Sequence, residues 1–101
     1  MANEKIPDQK VRLDKWLWAA RFFKTRALAK VAIEVGKVHI DGHRAKPSKE
    51  ITVGTVLDIR QGWDEKTVLV EQLSTQRRGA DDAAKLYTET EQSRVRREDP
   101  A

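Results

Sequence analysis

Two stretches near the amino terminus show the apolar spacing of amphipathic helices. From about Val11, apolar residues recur three or four positions apart and predict a first helix that ends near Phe23, with Leu13, Leu17 and Ala20 on its apolar face. Thr25 is a favourable N-cap residue and predicts the start of a second helix. The apolar face predicted for that helix is Leu28, Val31, Ala32 and Val35, and Gly36 follows where helices commonly end in a left-handed residue.

After Gly36 the apolar spacing becomes that of short strands. Val38–Ile40 is predicted as a strand, and the next two residues, Asp41 and Gly42, form a dipeptide typical of two-residue hairpin turns. Residues 44–46 are predicted as the return strand or as an extended segment before Pro47. Further strands are predicted over 51–53, 56–60 and 67–73, with a turn over 61–64. We expect a mostly antiparallel sheet, because the connections are too short for parallel crossovers.

The carboxyl-terminal part has a weaker pattern. Asp81 is predicted to cap a last helix over about 82–94, which frays from about Ser93; its apolar side would hold Ala80, Ala83, Ala84 and Tyr87. The chain is therefore divided into a flexible arm over 1–10, a domain over 11–75, and a helix with a frayed tail over 76–101. The predicted fold class is α+β, with two N-terminal helices packed on a small, mostly antiparallel sheet, plus the C-terminal helix.

Composition narrows the class of protein. With 101 residues the chain forms one small domain, and the absence of cysteine excludes disulfides, thiolate metal sites and cysteine nucleophiles. No apolar run reaches the roughly 20 residues of a membrane-spanning helix. The first ten residues lack the apolar core of a signal peptide. We expect a cytoplasmic monomer that does not contact membranes.

Positive charge is concentrated in one part of the chain. The net charge is +4 overall, but residues 10–49 hold eleven basic and three acidic residues, a net +8, whereas residues 51–101 carry −2. Such a block indicates a polyanionic partner, nucleic acid first, RNA or DNA. The alternative is a merely solvated surface.

The residues give little support to catalysis. His39 and His43 flank the predicted hairpin turn with only Asp41 nearby as a further ligand type, so ordinary strand and turn histidines explain them better than a metal site. No metalloprotease, P-loop or dinucleotide-binding spacing is present. We expect no enzyme activity, no metal and no cofactor.

The candidate RNA-binding residues are basic side chains on the two helices and the following hairpin. Lys24 and Arg26 lie beside the start of the second helix, where free backbone N–H groups favour a phosphate. The full basic set is Arg12, Lys15, Arg21, Lys24, Arg26, Lys30, Lys37, Arg44, Lys46 and Lys49. Any one of them could instead be an ordinary solvated charge.

Four aromatic residues are crowded into eight positions: Trp16, Trp18, Phe22 and Phe23. One interpretation is a surface on which RNA bases stack. The other, which we favour, is that the rings pack on the sheet or on the C-terminal helix. Trp63, in a predicted turn, has the same two interpretations.

The order of short motifs resembles a known RNA-binding domain. Arg12-Leu13-Asp14-Lys15, Thr25-Arg26-Ala27-Leu28-Ala29, Gly36-Lys37-Val38, Asp41-Gly42, Lys46-Pro47-Ser48 and Val53-Gly54 are similar to the domain named after small-ribosomal-subunit protein four, also called the alpha-L motif. This resemblance covers about residues 11–60. It implies the alpha-L fold.

A narrower resemblance extends from about Val11 to Tyr87. The runs VRLDKWLWAARFFKTRALA, KPSK, IRQGWDEKTVLV and QRR, followed by an acidic, alanine-rich segment, are similar to the bacterial heat shock protein 15 family. Members of that family usually continue into a longer, basic C-terminal extension. The resemblance places Arg12, Lys15, Lys24, Thr25, Arg26 and Lys30 on the RNA face, with Lys37 and the Lys46–Lys49 loop at its edge.

The resemblance implies a stress-response protein that binds ribosomal RNA. The expected partners are the large ribosomal subunit and tRNA that carries a nascent chain, in the rescue or recycling of stalled ribosomes. Two other functions stay open: an RNA-binding accessory module of an RNA-modifying enzyme, and a protein-interaction or chaperone module that uses the aromatic cluster.

Overall fold

The structure, a computed structural model, describes residues 10–98, and of residues 97 and 98 the backbone alone. The predicted flexible arm lies outside this range except for residue 10. The elements in chain order are β1 (Val11–Arg12), α1 (Leu13–Ala19), α2 (Arg26–Glu34), β2 (Val38–Ile40), β3 (His43–Arg44), β4 (Glu50–Ile51), β5 (Val56–Gln61), β6 (Asp64–Val70), α3 (Ala80–Ala83), a 3₁₀ turn (Ala84–Leu86), β7 (Tyr87–Glu89) and α4 (Glu91–Glu98). Over residues 10–98, no helix is both long and apolar enough to span a bilayer.

The chain enters the fold through a small two-stranded sheet. Val11 and Arg12 are extended because they pair with β4, Val11 opposite Ile51 and Arg12 opposite Glu50. The first helix therefore begins at Leu13, later than its periodicity predicts. The strand predicted over 51–53 is wrong in its bounds, because the observed strand β4 includes only Ile51 of these three residues. Strand β4 pairs with β1 and not with the larger sheet.

The first helix ends at Ala19, well before the predicted end near Phe23. The backbone reverses at Arg21, whose φ of +66° lies in the left-handed region. Arg77 holds this turn from the far end of the sequence, because its Nη1 donates to the carbonyl oxygens of Trp18 at 2.6 Å and Phe23 at 3.0 Å. The helix itself ends in a local Schellman turn, in which the Phe22 N–H donates to the Leu17 carbonyl and the Arg21 N–H to the Trp18 carbonyl.

The second helix begins where the sequence predicts but buries a different face. Thr25 is its N-cap, and the Thr25 hydroxyl accepts a hydrogen bond of 3.0 Å from the Leu28 N–H. The buried residues are Ala29, Ala32 and Ile33, whereas three of the four predicted core positions, Leu28, Val31 and Val35, are exposed. Small alanines on the inner face let α1 and α2 approach closely, which larger side chains would prevent.

A five-stranded antiparallel sheet supports the helices, in the order β3-β2-β5-β6-β7. The antiparallel sheet and the α+β class are confirmed. Asp41 and Gly42 both have positive φ, 51° and 83°, as a type I′ hairpin turn requires. The return strand is shorter than predicted and covers only His43–Arg44, whereas the β5–β6 hairpin is longer and pairs residues 56–61 with residues 64–69.

The predicted single C-terminal helix is wrong. Residues 80–86 form α3 and one 3₁₀ turn, and Tyr87–Glu89 then pairs with β6 as an edge strand before α4 begins. Ser93, predicted as the start of fraying, is fully buried: its hydroxyl accepts from the Thr67 N–H at 2.9 Å and donates to a Glu89 carboxylate oxygen at 2.6 Å.

One hydrophobic core joins the helices to the sheet. Trp16, Leu13 and Leu17 from α1 are completely buried, together with strand residues that include Leu57 and Val68. The core thus lies between the two N-terminal helices and one face of the sheet. This leaves Arg12, the outer side of α2 and the loop before β4 at the surface.

Candidate nucleic-acid interface

A buried carboxylate brings two of the predicted cations together. Asp14 is only 3% exposed, and its Oδ2 lies 2.9 Å from Arg12 Nη2 while its Oδ1 lies 3.6 Å from Arg26 Nη2. The two arginine side chains stay nearly half exposed, at 47% and 44%. Asp14 therefore holds both arginines in place and leaves their outer N–H groups free for another anion.

The electrostatics of this pair follow from their contacts. Burial alone raises the pKa of the Asp14 carboxyl, but the hydrogen bonds and charge of Arg12, the charge of Arg26 and the backbone N–H of Lys15 outweigh it. The net result holds the pKa of Asp14 below its ordinary value of 3.8. The same hydrogen bond and charge raise the pKa of Arg12. The carboxylate is thus ionised at neutral pH.

Next to Arg12 lies an open groove of about 800 Å³. Four predicted cations line it, together with one acidic residue and a short loop of small side chains; the lining is Arg12, Lys30, Glu34, Arg44, Ala45, Lys46, Pro47 and Ser48. Side chains from α2, β3 and the loop before β4 therefore converge on one concave surface. Its four positive charges against one negative charge suit a phosphate backbone.

The loop on one wall of the groove is held by backbone contacts to α1. The Leu13 N–H donates to the Lys49 carbonyl at 2.8 Å, and the Asp14 N–H donates to the Pro47 carbonyl at 3.2 Å. These bonds satisfy N–H groups at the start of α1, where a helix has no internal partner for them. The backbone that carries the lysines of this loop thus has a fixed position relative to the start of α1.

Arg44 is fixed by the end of the second helix. Its Nη2 donates to the Glu34 carbonyl at 2.8 Å, at the helix terminus where a positive charge is favourable. The guanidinium passes close to Gly36, since a Cβ at that position would lie 3.5 Å from Arg44 Cζ. With a φ of +85°, Gly36 also occupies the left-handed position predicted for it.

Other predicted site residues lie away from this groove. Arg21 donates from Nη1 to the Arg78 carbonyl at 3.0 Å, so its side chain is engaged with the C-terminal segment. Lys37 lines a separate groove beside the exposed face of α2. Lys15 is half-buried on α1. Lys24 and Thr25, just before α2, and Lys49, just before β4, are exposed, but none of the three lines the groove.

Most of the aromatic cluster is packing, not a stacking surface. Trp16 is fully buried, and Phe22 is buried against it with ring centroids 6.1 Å apart. Tyr87 from β7 completes the group, with its centroid 4.7 Å from that of Phe22. Trp18 and Phe23 are half-buried and pack on the same core. Trp63, in contrast, is fully exposed.

Sequence reasoning missed the role of Asp14 as the common partner of two arginines. An acidic residue between Arg12 and Lys15 was the only available signal, since Arg26 reaches it through tertiary structure. Within residues 10–96, no group of three or more His, Cys, Asp or Glu side chains is arranged to hold a metal ion. His39 lies on β2 and His43 on β3.

Comparison with known proteins relates the chain to one domain family and to two groups of proteins. The S4 domain model matches residues 11–57. Heat shock protein 15 of Escherichia coli strain K12 is 58% identical over 92 residues, which cover 91% of this chain and 69% of that protein. The RQC P-site tRNA stabilizing factor of Bacillus subtilis is 37% identical over 78 residues, 77% of this chain and 90% of that protein.

A solved structure shares the fold over most of the chain. The structure described as trimeric heat shock protein 15 of Vibrio cholerae superposes with a TM-score of 0.87 at 58% identity, covering 89% of this chain and 91% of that one.

Proposed function

The chain belongs to the heat shock protein 15 family and carries an S4 domain, and from this premise we propose that it is a non-enzymatic RNA-binding protein of the cytoplasm. We propose further that it binds the large ribosomal subunit while a nascent chain is still attached to tRNA, in the rescue or recycling of stalled ribosomes. The similarity to a P-site tRNA stabilizing factor supports the tRNA part of this proposal.

The observation that carries the proposal is the convergence of cations on one groove. Arg12, Lys30, Arg44 and Lys46 line it, and Arg26 lies beside it through the shared partner Asp14. Fixed cations of this kind suit folded RNA, whose phosphates also have fixed positions. A binder of single strands would need exposed aromatic platforms, but Trp16 and Phe22 are buried in the core.

The RNA-binding residues proposed from the sequence divide accordingly. We assign phosphate contacts in the groove to Arg12, Lys30, Arg44 and Lys46, and at the adjacent helix start to Lys24, Thr25 and Arg26. We place Lys15, Lys37, Lys49 and Arg21 at the periphery of the contact, because they do not line the groove.

The test is co-sedimentation of the chain with separated ribosomal subunits at physiological salt. We expect retention by the large subunit, and stronger retention when peptidyl-tRNA occupies it, because the tRNA adds phosphates. Replacing both Lys30 and Lys46 with alanine should reduce retention, and replacing Lys66 and Lys85, which lie outside the basic block, should not. Retention by the small subunit instead, or equal retention by unstructured RNA, would contradict the proposal.

A further inference from the structure

The connection between α1 and α2, residues 20–25, has no regular secondary structure. It leads directly into the start of α2, where Lys24, Thr25 and Arg26 are exposed. These three residues are the phosphate contacts that we propose outside the groove. Their placement relative to the sheet depends on the contacts that hold the connection.

Arg77 joins the two ends of this connection through a single nitrogen. Its Nη1 lies 2.6 Å from the Trp18 carbonyl oxygen in α1 and 3.0 Å from the Phe23 carbonyl oxygen, directly before Lys24. A terminal guanidinium nitrogen carries two hydrogens, so it can donate to both carbonyls at once. The donor is charged and its side chain is half-buried, which makes these bonds stronger than bonds between neutral groups in water. Arg77 therefore fixes the residue that precedes Lys24 relative to the last turn of α1.

A second hydrogen bond runs the other way between the same two segments. Arg21 donates from Nη1 to the Arg78 carbonyl at 3.0 Å. Beyond the Phe23 carbonyl, the next hydrogen bond in chain order is the Thr25 cap, which belongs to α2 itself. Over the part of the chain that the structure describes, Arg77 thus makes the last hydrogen bond from outside the helices before α2 begins.

The position of Arg77 does not suit a direct phosphate contact. It lies outside the basic block of residues 10–49 and does not line the groove. Its Nη1 is engaged with two backbone carbonyls, whereas the neighbouring Arg78 is exposed and donates to the Gln76 side chain at 2.8 Å. An effect of Arg77 on RNA binding is therefore indirect and acts through the backbone that it holds.

We propose that Arg77 is a positioning residue for RNA binding, which holds Lys24 and Arg26 in place through the α1–α2 connection without contacting RNA. The proposal rests on the proposed function, because it assigns a role at the same RNA-binding surface. Arg77 lies outside residues 11–57, the range that the S4 domain model matches. A segment that follows the S4 domain thus sets the geometry of its RNA-binding side.

The experiment measures the RNA affinity of Arg77→Met as a function of salt, by fluorescence anisotropy with a structured ribosomal RNA fragment. Binding should be about three- to tenfold weaker than for the wild type, because RNA must then order the start of α2. The slope of log K against log salt should stay the same, since no phosphate contact is lost. Loss of a cation that neutralises a phosphate would instead make the slope shallower by about one.

Two control variants separate positioning from charge and from stability. Arg78→Met removes the same charge one residue further along and keeps the backbone carbonyl that Arg21 uses, so affinity and slope should stay close to those of the wild type. Ser93→Ala removes a fully buried hydroxyl that bonds to Thr67 and Glu89, far along the chain from the connection. It should lower stability and leave the RNA affinity of the folded protein unchanged.

Amide hydrogen exchange tests the same role without RNA. The Ala29 N–H donates to the Thr25 carbonyl at 3.2 Å in the first turn of α2. Arg77→Met should accelerate exchange of this amide severalfold, while the Val70 N–H, bonded to the Thr55 carbonyl at 2.8 Å in the sheet, should exchange as in the wild type. A wild type that does not bind RNA would contradict the proposed function, whereas unchanged exchange at Ala29 would contradict the positioning role.

Far-ultraviolet circular dichroism checks that each variant is folded. If Arg77→Met is not, Arg77→Lys takes its place: it keeps the charge but loses the planar fork, so affinity should still fall with an unchanged slope. Three results would overturn the proposal: wild-type affinity in the Arg77 variant, a slope that becomes shallower by about one, or an equal loss of affinity in Arg78→Met or Ser93→Ala.

Discussion

The indole Nε1 of Trp16 donates a hydrogen bond of 2.9 Å to the backbone carbonyl of Gln72, 56 residues further along the chain. The bond ties the middle of α1 to the segment that leaves β6. Because α1 also carries Asp14, the partner of Arg12 and Arg26, this contact fixes the candidate RNA-binding surface to the sheet.

Loss of that hydrogen bond should lower stability measurably. Trp16→Phe removes the donor and part of a fully buried ring, so we expect the free energy of unfolding to fall by about 1–3 kcal/mol. Urea denaturation at neutral pH measures it. Trp63→Phe, at a fully exposed position, should change stability by no more than about 0.5 kcal/mol.

Neutralising Asp14 should weaken RNA binding even though it makes the protein more positive. Asp14→Asn frees Arg12 and Arg26 from their common partner. RNA binding must then order both arginine side chains, and this loss of side-chain entropy lowers the affinity. We expect binding about fivefold weaker, measured by fluorescence anisotropy with a structured ribosomal RNA fragment.

The matched control for that experiment is Glu34→Gln, which also removes one negative charge and lines the same groove. Glu34 fixes Arg44 only through its backbone carbonyl, so its side chain acts on RNA by repulsion alone. We expect tighter binding. Tighter binding by both variants would mean that Asp14 does not position the arginines.

The lowered pKa of Asp14 predicts a loss of stability in acid. Its folded-state pKa lies below the ordinary 3.8, so the carboxylate stabilises the fold fully above that value. The stabilisation is lost as the pH falls through the folded-state pKa. The difference in free energy of unfolding between the wild type and Asp14→Asn should therefore be constant from pH 7 to about 5 and shrink below pH 4. Urea titrations across this range measure it, and a constant difference down to pH 2 would contradict it.

RNA affinity should fall steeply with salt. If the four groove cations and Arg26 neutralise about five phosphates, log K should fall with log salt at a slope of about −3.5 to −4.5. Lys30→Ala with Lys46→Ala should make the slope shallower by about two.

Two further variants define the extent of the salt-sensitive surface. Lys66→Ala with Lys85→Ala should leave the slope unchanged. Arg21→Ala should change it less than Lys30→Ala does, because the Arg21 guanidinium is engaged with the Arg78 carbonyl. Equal changes for all these variants would mean that the groove is not the contact surface.

Local chemistry determined the parts of the fold that were predicted correctly. The Thr25 cap, the left-handed Gly36 and the Asp41-Gly42 turn each depend on a few neighbouring residues. The β5–β6 hairpin likewise joins adjacent segments of the chain. Such features need no knowledge of distant contacts.

The errors arose where a distant segment decides the outcome. The second helix has two apolar stripes that share Ala32, and only packing against α1 selects the one with Ala29 and Ile33 over the one with Leu28 and Val31. Tyr87 becomes part of a strand because the edge of β6 is available to it. For the same reason, the basic block was visible in the sequence but its anchoring by Asp14 was not.

The packing of Tyr87 against Phe22 has a consequence for synthesis. During translation, the amino-terminal helices leave the ribosome long before residue 87 has been added to the chain. Until then β6 lacks its outer neighbour, and Phe22 lacks the tyrosine ring that packs against it. The growing polypeptide therefore leaves the Phe22 ring without its tyrosine partner, and the sheet without its edge strand, until the segment around residue 87 has left the ribosome.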